Sequence, residues 1–201
     1  MYIGAQFSLY PMTDDFVGVI IKALSALDPY RDRLQVETDD VSTLLVGPPE
    51  ALFPAMRDLF AATAATGKHC VLSATISRGC PGEPDDPRCH SPALDATISK
   101  SDRIPAALDA IAAAPQLSVH TVAQFSLYLL GAQQHMDEIE ACIDLCRQSG
   151  LKAAPKHFCT KLAGDAGPVF ALLEQSFCRF GAPDGHVAID LTVSANSPSL
   201  A

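Results

Sequence analysis

The stretch AQFSLY occupies Ala5 to Tyr10, and the same six letters return at Ala123 to Tyr128. A strand-like hexamer written twice in one chain asks whether the rest of each half matches too, because an internal repeat decides the fold. It does. DDVSTLLVGPPEALF (Asp39 to Phe53) lies over KHFCTKLAGDAGPVF (Lys156 to Phe170) at an offset of 117, with Thr43 on Thr160, Leu45 on Leu162, Gly47 on Gly164 and Phe53 on Phe170. At the same offset HCVLSATISRGCP (His69 to Pro81) lies over HVAIDLTVSANSP (His186 to Pro198). Three ordered blocks define two homologous units, residues 1–82 and 119–201, joined by segment 83–118.

Each unit reads with the same element order. MYIGAQFSLY alternates and is rich in β-branched and aromatic residues, so it is a strand. DDFVGVIIKALSAL carries acids at its start and then Phe16, Ile20, Ala23, Leu24 and Leu27 at helical spacing. Arg33 to Thr38 turns at Asp39-Asp40 into VSTLLVG, a two-strand hairpin. Gly47-Pro48-Pro49 breaks the chain before a second amphipathic helix bearing Leu52, Phe53, Met56, Leu59 and Phe60. Gly67 closes that helix, and HCVLSATIS supplies the last strand. In the second unit HMDEIEACIDLCRQ, striped by Met136, Ile139, Ile143 and Cys146, and GPVFALLEQSFCRF take the helix positions. The order β-α-β-β-α-β is the split βαβ of the ferredoxin-like fold. The expected architecture is a tandem repeat of two such units, α+β, with antiparallel sheets.

Composition narrows the function classes. With 48% hydrophobic residues, two units of some 80 residues can each bury a modest core. The net charge of −9, without a basic and aromatic patch, argues against nucleic acid as a partner. No apolar run reaches the length of a membrane span and no charged leader precedes the first strand, so a soluble cytoplasmic protein is expected. Seven irregularly spaced cysteines fit reduced thiols better than a disulfide framework. GEPDDPRCHSPALDATISKSDRIP (Gly82 to Pro105) has no core period and reads as a linker or an ordered excursion. Pro105 to Ala114 is compatible with a short alanine-rich helix.

Strand alternation places Gln6, Ser8 and Tyr10 on one face of the first strand, and Ser73, Thr75 and Ser77 on the same face of the last. The second unit repeats this with Gln124, Ser126 and Tyr128 beside Asp190, Thr192 and Ser194. An antiparallel sheet often shows water one polar face. This one offers short hydrogen-bonding groups and a phenol, with no lysine on its two central strands past Lys68, which also suits a flat heteroaromatic ligand. Cys80, Cys89 and His90 match no structural zinc spacing. Cys142 and Cys146, four apart on one helix face, read as core thiols. His69 and His186 occupy equivalent places and read as parts of the fold. No phosphate loop, nucleophile elbow or paired-histidine motif occurs, and no nucleophile, base and orienting group can be assembled. Binding without catalysis, and without a cofactor, is the expectation.

FSLYPMTDDF (Phe7 to Phe16), TDDVSTLLVG (Thr38 to Gly47), SRGCPGE (Ser77 to Glu83) and LTVSANSPS (Leu191 to Ser199) together resemble the YkoF-type thiamine and hydroxymethylpyrimidine (HMP)-binding proteins. The resemblance runs through both halves. It implies a cytoplasmic homodimer of tandem ferredoxin-like units, one pocket per unit for thiamine or its pyrimidine precursor, and a part in salvage or uptake of that precursor. An aminopyrimidine asks for an acceptor on one side and a donor on the other, and thiazolium adds a fixed cation. By position, the first pocket would use Gln6, Ser8, Tyr10, Thr38, Asp39, Thr43, Ser77 and Cys80. The second would use Gln124, Ser126, Tyr128, His157, Thr160, Ser194 and Asn196. TDDVST is answered by PKHFCT in the second unit, where Lys156 and His157 replace two aspartates, so unequal pockets are expected. Two other classes compete: a module that senses a small molecule for a separate partner, and an enzyme acting on the pyrimidine.

Overall fold

A computed structural model describes residues 2–80, 99, 101–133 and 135–200, with the side chains of Tyr2 and Leu200 outside the description. The first unit runs β1 (Tyr2–Pro11), α1 (Phe16–Leu24) continued by a 3-10 stretch (Ser25–Tyr30), β2 (Gln35–Thr38), β3 (Thr43–Val46), α2 (Pro49–Ala64) and β4 (Cys70–Cys80). After α3 (Arg103–Ala112) the second unit runs β5 (His120–Leu130), α4 (His135–Gln148), β6 (Lys152–Pro155), β7 (Thr160–Asp165), α5 (Ala166–Arg179) and β8 (His186–Ala195). The short helix read in the connecting segment is α3, and it packs on α4 and α5.

The stripes account for the layers. Leu52, Phe53, Met56, Leu59 and Phe60 of α2 are all buried, as are Ala5, Phe7, Leu72, Ala74 and Ile76 on the strands beneath. The expected stripe of α1 holds only from Ala23 onward: Leu27 is buried, whereas Phe16 is half exposed. Met136 on α4 likewise faces water. Both exposed positions lie in the first turn of their helix.

The two units do not have separate sheets. All strands form one eight-stranded antiparallel sheet in the order β2-β3-β1-β4-β8-β5-β7-β6, joined where β4 pairs with β8. The seam is pseudo-twofold. Ala74 pairs with Leu191, its own counterpart at the 117 offset, and the register continues symmetrically to Cys70 opposite Ala195. His69 Nε2 bonds Ser194 Oγ at 3.1 Å, and its counterpart His186 Nε2 bonds Ser77 Oγ at 3.2 Å. Above the seam α2 crosses α5. Phe53 meets Phe177 (ring centroids 5.6 Å apart) and Phe60 meets Phe170 (6.0 Å), again pairs exchanged by the pseudo-dyad. One hydrophobic cluster therefore runs through both units.

Two groups break the symmetry at the unit boundary. Arg78 of β4, fully buried, crosses to the second unit and donates to the carbonyls of Phe177, Phe180, Ala182, Pro183 and Gly185 at 2.8 to 3.2 Å. It thus satisfies the C-terminal end of α5 and the turn that follows, a place where helix carbonyls lack partners and carry partial negative charge. Asp165 caps the other end of α5 through Gly167 N–H and also accepts from Leu117 and Val119 N–H. Burial opposes its ionisation, but these donors outweigh it and hold the carboxyl below its ordinary pKa.

Glu174 sits in a cleft bordered by Arg57 of α2, Ala110 of α3 and Pro115. Burial pushes its carboxyl up to about 7, with Glu50 adding to the shift and Arg57 and Arg179 opposing it. A folded pKa above the unfolded one means this group's contribution is complete at acid pH and is lost as pH rises through about 7. Glu174→Gln should therefore raise stability at pH 8 by about 1 kcal/mol after allowance for partial solvation, and change nothing at pH 4. Melting temperatures of both proteins across that range would show it; a constant gap at all pH values would refute the assignment.

Candidate functional site: twin clefts beneath the hairpin tips

Each unit opens a cleft where the β-hairpin tip leans over the end of the central strand and faces the first helix. In the first unit Phe7 and Leu9 of β1, Ile20 and Leu24 of α1 and Leu59 of α2 make an apolar wall. Tyr10, Thr38 and residues 39–43 of the hairpin make the polar one, around about 160 Å3. In the second unit Phe125, Leu127, Ile139 and Ile143 stand at the corresponding places. Tyr128, Lys156, His157, Phe158, Cys159 and Thr160 close the other side of about 280 Å3.

The hairpin is held in the same way twice. Ser8 donates its hydroxyl to the Val41 carbonyl at 2.9 Å, and Ser126 to the Phe158 carbonyl at 2.8 Å. Gln6 Nε2 reaches Ser42 Oγ at 2.6 Å, and in the copy Cys159 Sγ reaches Gln124 Oε1 at 3.6 Å. Asp39 builds the first turn: its Oδ1 accepts from Val41 N–H at 2.8 Å and Ser42 N–H at 2.7 Å. Those two bonds hold its carboxyl below the usual pKa. Thr38 and Thr43 hydroxyls bond each other at 3.0 Å across the base of the hairpin.

The candidate residues read from the sequence separate into three groups. Tyr10, Thr38, Asp39 and Thr43 line the first cleft, and Tyr128, His157 and Thr160 the second. Gln6, Ser8, Gln124 and Ser126 are hairpin anchors; both serines also border their clefts. The third group is elsewhere. Ser77 and Ser194 join the seam, Cys80 ends β4 opposite Tyr2, and Asn196 donates its amide to the carbonyls of Ala64 and Lys68. Ser77 and Ser194 stand apart from the other candidates of their own unit. The register sets Ser77 in line with Ala188 and Tyr128, and Ser194 in line with Val71 and Tyr10, so each lies nearer the other unit's tyrosine. Cys89 and His90 lie outside the described residues, and among those described no group of three or more His, Cys, Asp or Glu side chains is placed to hold a metal.

The sheet's helix-free face has a hollow of its own in the second unit, about 240 Å3, lined by Gln124, Ser126, Tyr128, Phe158, Asp190 and Thr192. The polar strand faces read from alternation thus meet there, but the larger cleft lies on the other side of β5.

Sequence reasoning missed the helix-side walls and the apolar residues of the hairpin tips. Val41 is 74% exposed and Phe158 93%, an apolar side chain at each tip. The other exposed large apolar residues (Tyr10, Met12, Phe16, Val17, Ile21, Tyr128, Leu130 and Met136) belong to the strand ends and helices that frame the same two clefts. Apolar residues left in water and concentrated around concave sites mark places where something binds. The signal was present in the letters: Val41 and Phe158 are apolar at turn positions that core packing does not require.

Chemically the clefts offer a flat apolar wall, hydroxyls, a phenol and a charged rim. Cys142 and Cys146 lie at the floor of the second. Cys146 is pushed up by its hydrogen bond with Cys142 and by burial, so it remains a neutral thiol. The two Ser–His contacts of the seam have no carboxylate on the ring among the described residues and do not line either twin cleft, so no catalytic set is assembled there from the described residues. No helix of the described residues is long and apolar enough to cross a membrane.

Comparison with known proteins agrees with this duplicated arrangement. The model of the family described as "YKOF-related Family" matches residues 2–83 and again 120–200, the two units of the repeat. A protein of Bacillus subtilis (strain 168), named "Putative HMP/thiamine-binding protein YkoF", is 33% identical over 196 residues, covering 98% of this chain and 91% of that protein. With its two matched units and its near full-length relative, the chain belongs to the YKOF-related family.

Proposed function

We propose that this protein binds thiamine or its hydroxymethylpyrimidine moiety, one molecule in each cleft, and holds it unchanged in the salvage or uptake of the precursor. The observation that carries the reading is the twin cleft itself: the same apolar wall, tyrosine, threonine and pinned hairpin occur twice, in a family whose Bacillus subtilis relative is named for that ligand. The pyrimidine ring would lie against Phe7 and Leu9. Its exocyclic amine would donate to the ionised Asp39, and Thr38 and Tyr10 would serve the ring nitrogens. The thiazolium cation would face Asp40 and the Tyr10 ring. We take the cytoplasm as its compartment. A homodimer would bury the helix-free face of the sheet, where Gln124, Ser126 and Thr192 stand with Asp190 around an open hollow.

Isothermal titration with thiamine and with hydroxymethylpyrimidine tests the reading. One or two saturable sites per chain are expected, with Tyr10→Ala weakening the first by about tenfold through loss of the ring contact. Asp39→Ala should abolish it, because the same carboxylate shapes the turn. Recovery of the ligand with unchanged mass after incubation separates binding from turnover. Absence of heat and of thermal shift at millimolar concentration of both compounds would end the proposal and favour the sensing or interaction class.

A further inference from the structure

The two clefts share a geometry and differ in sign. From Gln35 to Leu44 the first hairpin carries Glu37, Asp39 and Asp40 and no base; from Lys152 to Lys161 the second carries Lys152, Lys156, Lys161 and His157 and no acid. The formal charge passes from −3 to +3 in a chain whose net charge is −9. Resting on the thiamine-related reading above, we propose that the second cleft selects a phosphorylated form of the pyrimidine ligand, while the first selects the unphosphorylated cation.

Several observations point the same way. Lys156 and His157 line the second cleft at the positions that Asp39 and Asp40 hold in the first. None of Lys152, Lys156 and Lys161 forms an ion pair among the described residues, so their charge is not neutralised by the protein. Lysines on edge strands also deter edge-to-edge pairing, which accounts for Lys152 on β6. It does not account for Lys156 at the tip, which lines the cleft; Lys161 stands opposite Gln124 on the helix-free face and outside the lining.

The floor has changed as well. Ala23, Leu27 and Leu59 are answered by Cys142, Cys146 and Ser176; of these Leu59 lines the first cleft, Cys142 and Cys146 line the second, and the others lie behind the lining. Ser176 is fully buried and its hydroxyl touches the Cys142 thiol without another hydrogen-bond partner among the described residues. The second cleft is also larger, about 280 Å3 against about 160 Å3, leaving room for an added group. A phosphate ester brings roughly 1.5 to 2 negative charges and three acceptor oxygens at neutral pH. Lysine and imidazole at the mouth of a low-dielectric cleft attract such a group, and the same mouth repels thiazolium. The aspartates of the first hairpin do the reverse.

The test is titration calorimetry of the full chain with thiamine, hydroxymethylpyrimidine, the phosphate ester of hydroxymethylpyrimidine and inorganic phosphate, each at low and moderate salt. The phosphate ester should bind one site per chain at least about tenfold more tightly than hydroxymethylpyrimidine binds that site, and lose affinity with salt. Lys156→Glu with His157→Gln, both exposed at a hairpin tip, should remove this site and leave thiamine at the first cleft unchanged. Asp40→Asn should weaken thiamine and leave the phosphate ester unchanged. Equal affinity for the ester and the free alcohol, survival of ester binding in the double variant, or inorganic phosphate binding as tightly as the ester would each overturn the inference. If thiamine and hydroxymethylpyrimidine bind while the ester shows no preference, only the inference fails; if none of the three organic compounds binds, the function proposed above fails with it.

Discussion

Arg78→Met is expected to lower stability by about 4 kcal/mol, which for a chain of this size is a fall of roughly 8 to 16 °C in melting temperature. Methionine keeps the volume of the stem but none of the donors. The carbonyls of Phe177, Phe180, Pro183 and Gly185 would then lose their arginine donor, while that of Ala182 keeps the Gly185 N–H. The cost comes from those abandoned acceptors more than from the guanidinium's own desolvation, which already lowers its pKa. Arg78→Lys should fall between parent and Met, since a single ammonium cannot reproduce a fork that reaches α5 and the next turn together. Differential scanning calorimetry of the three proteins decides it; a Met variant within about 2 °C of the parent would show that water or a shifted turn replaces the arginine at little cost.

Phe53→Ala should cost about 3 to 5 kcal/mol, the range for deleting a buried aromatic ring and leaving a cavity. The informative part is its reach. Phe53 belongs to the first unit but packs on Phe177 of the second, across the crossing of α2 and α5. One sheet and one core predict that the parent and the variant each unfold in a single transition, with calorimetric and van't Hoff enthalpies in agreement. Two separated transitions, with only the first unit destabilised, would mean that the units fold independently and that the seam is secondary.

Much of the fold was legible because repetition and periodicity are local. The offset of 117 set the two units in register, and the stripe of α2 named core residues that the structure buries without exception at Leu52, Phe53, Met56, Leu59 and Phe60. Phe16 and Met136 were misread for a reason that periodicity cannot see: a helical stripe shows which face is apolar, and the extent of the sheet decides how much of it is covered. The site was legible in part. Tyr10, Thr38, Asp39, Thr43, Tyr128, His157 and Thr160 come to the cleft walls because they sit at the hairpin and the strand end that meets it. Ser77 on β4, and Ser194 and Asn196 on β8 and its extension, share the same polarity, yet register carries them to the seam and to the end of α2.

By itself the sequence determined the duplicated β-α-β-β-α-β order, the apolar face of each element and the reversal of charge between Asp39-Asp40 and Lys156-His157, since each is written in neighbouring residues. Only the tertiary structure decided that β4 pairs with β8, that Arg78 serves the opposite unit, and that the clefts open on the helix side of the sheet. The physical reason is that strand pairing uses backbone groups every residue possesses, so an edge carries no letter naming its partner. The partner is chosen by which assembly buries the most apolar surface with every donor satisfied, and that is a property of the whole chain.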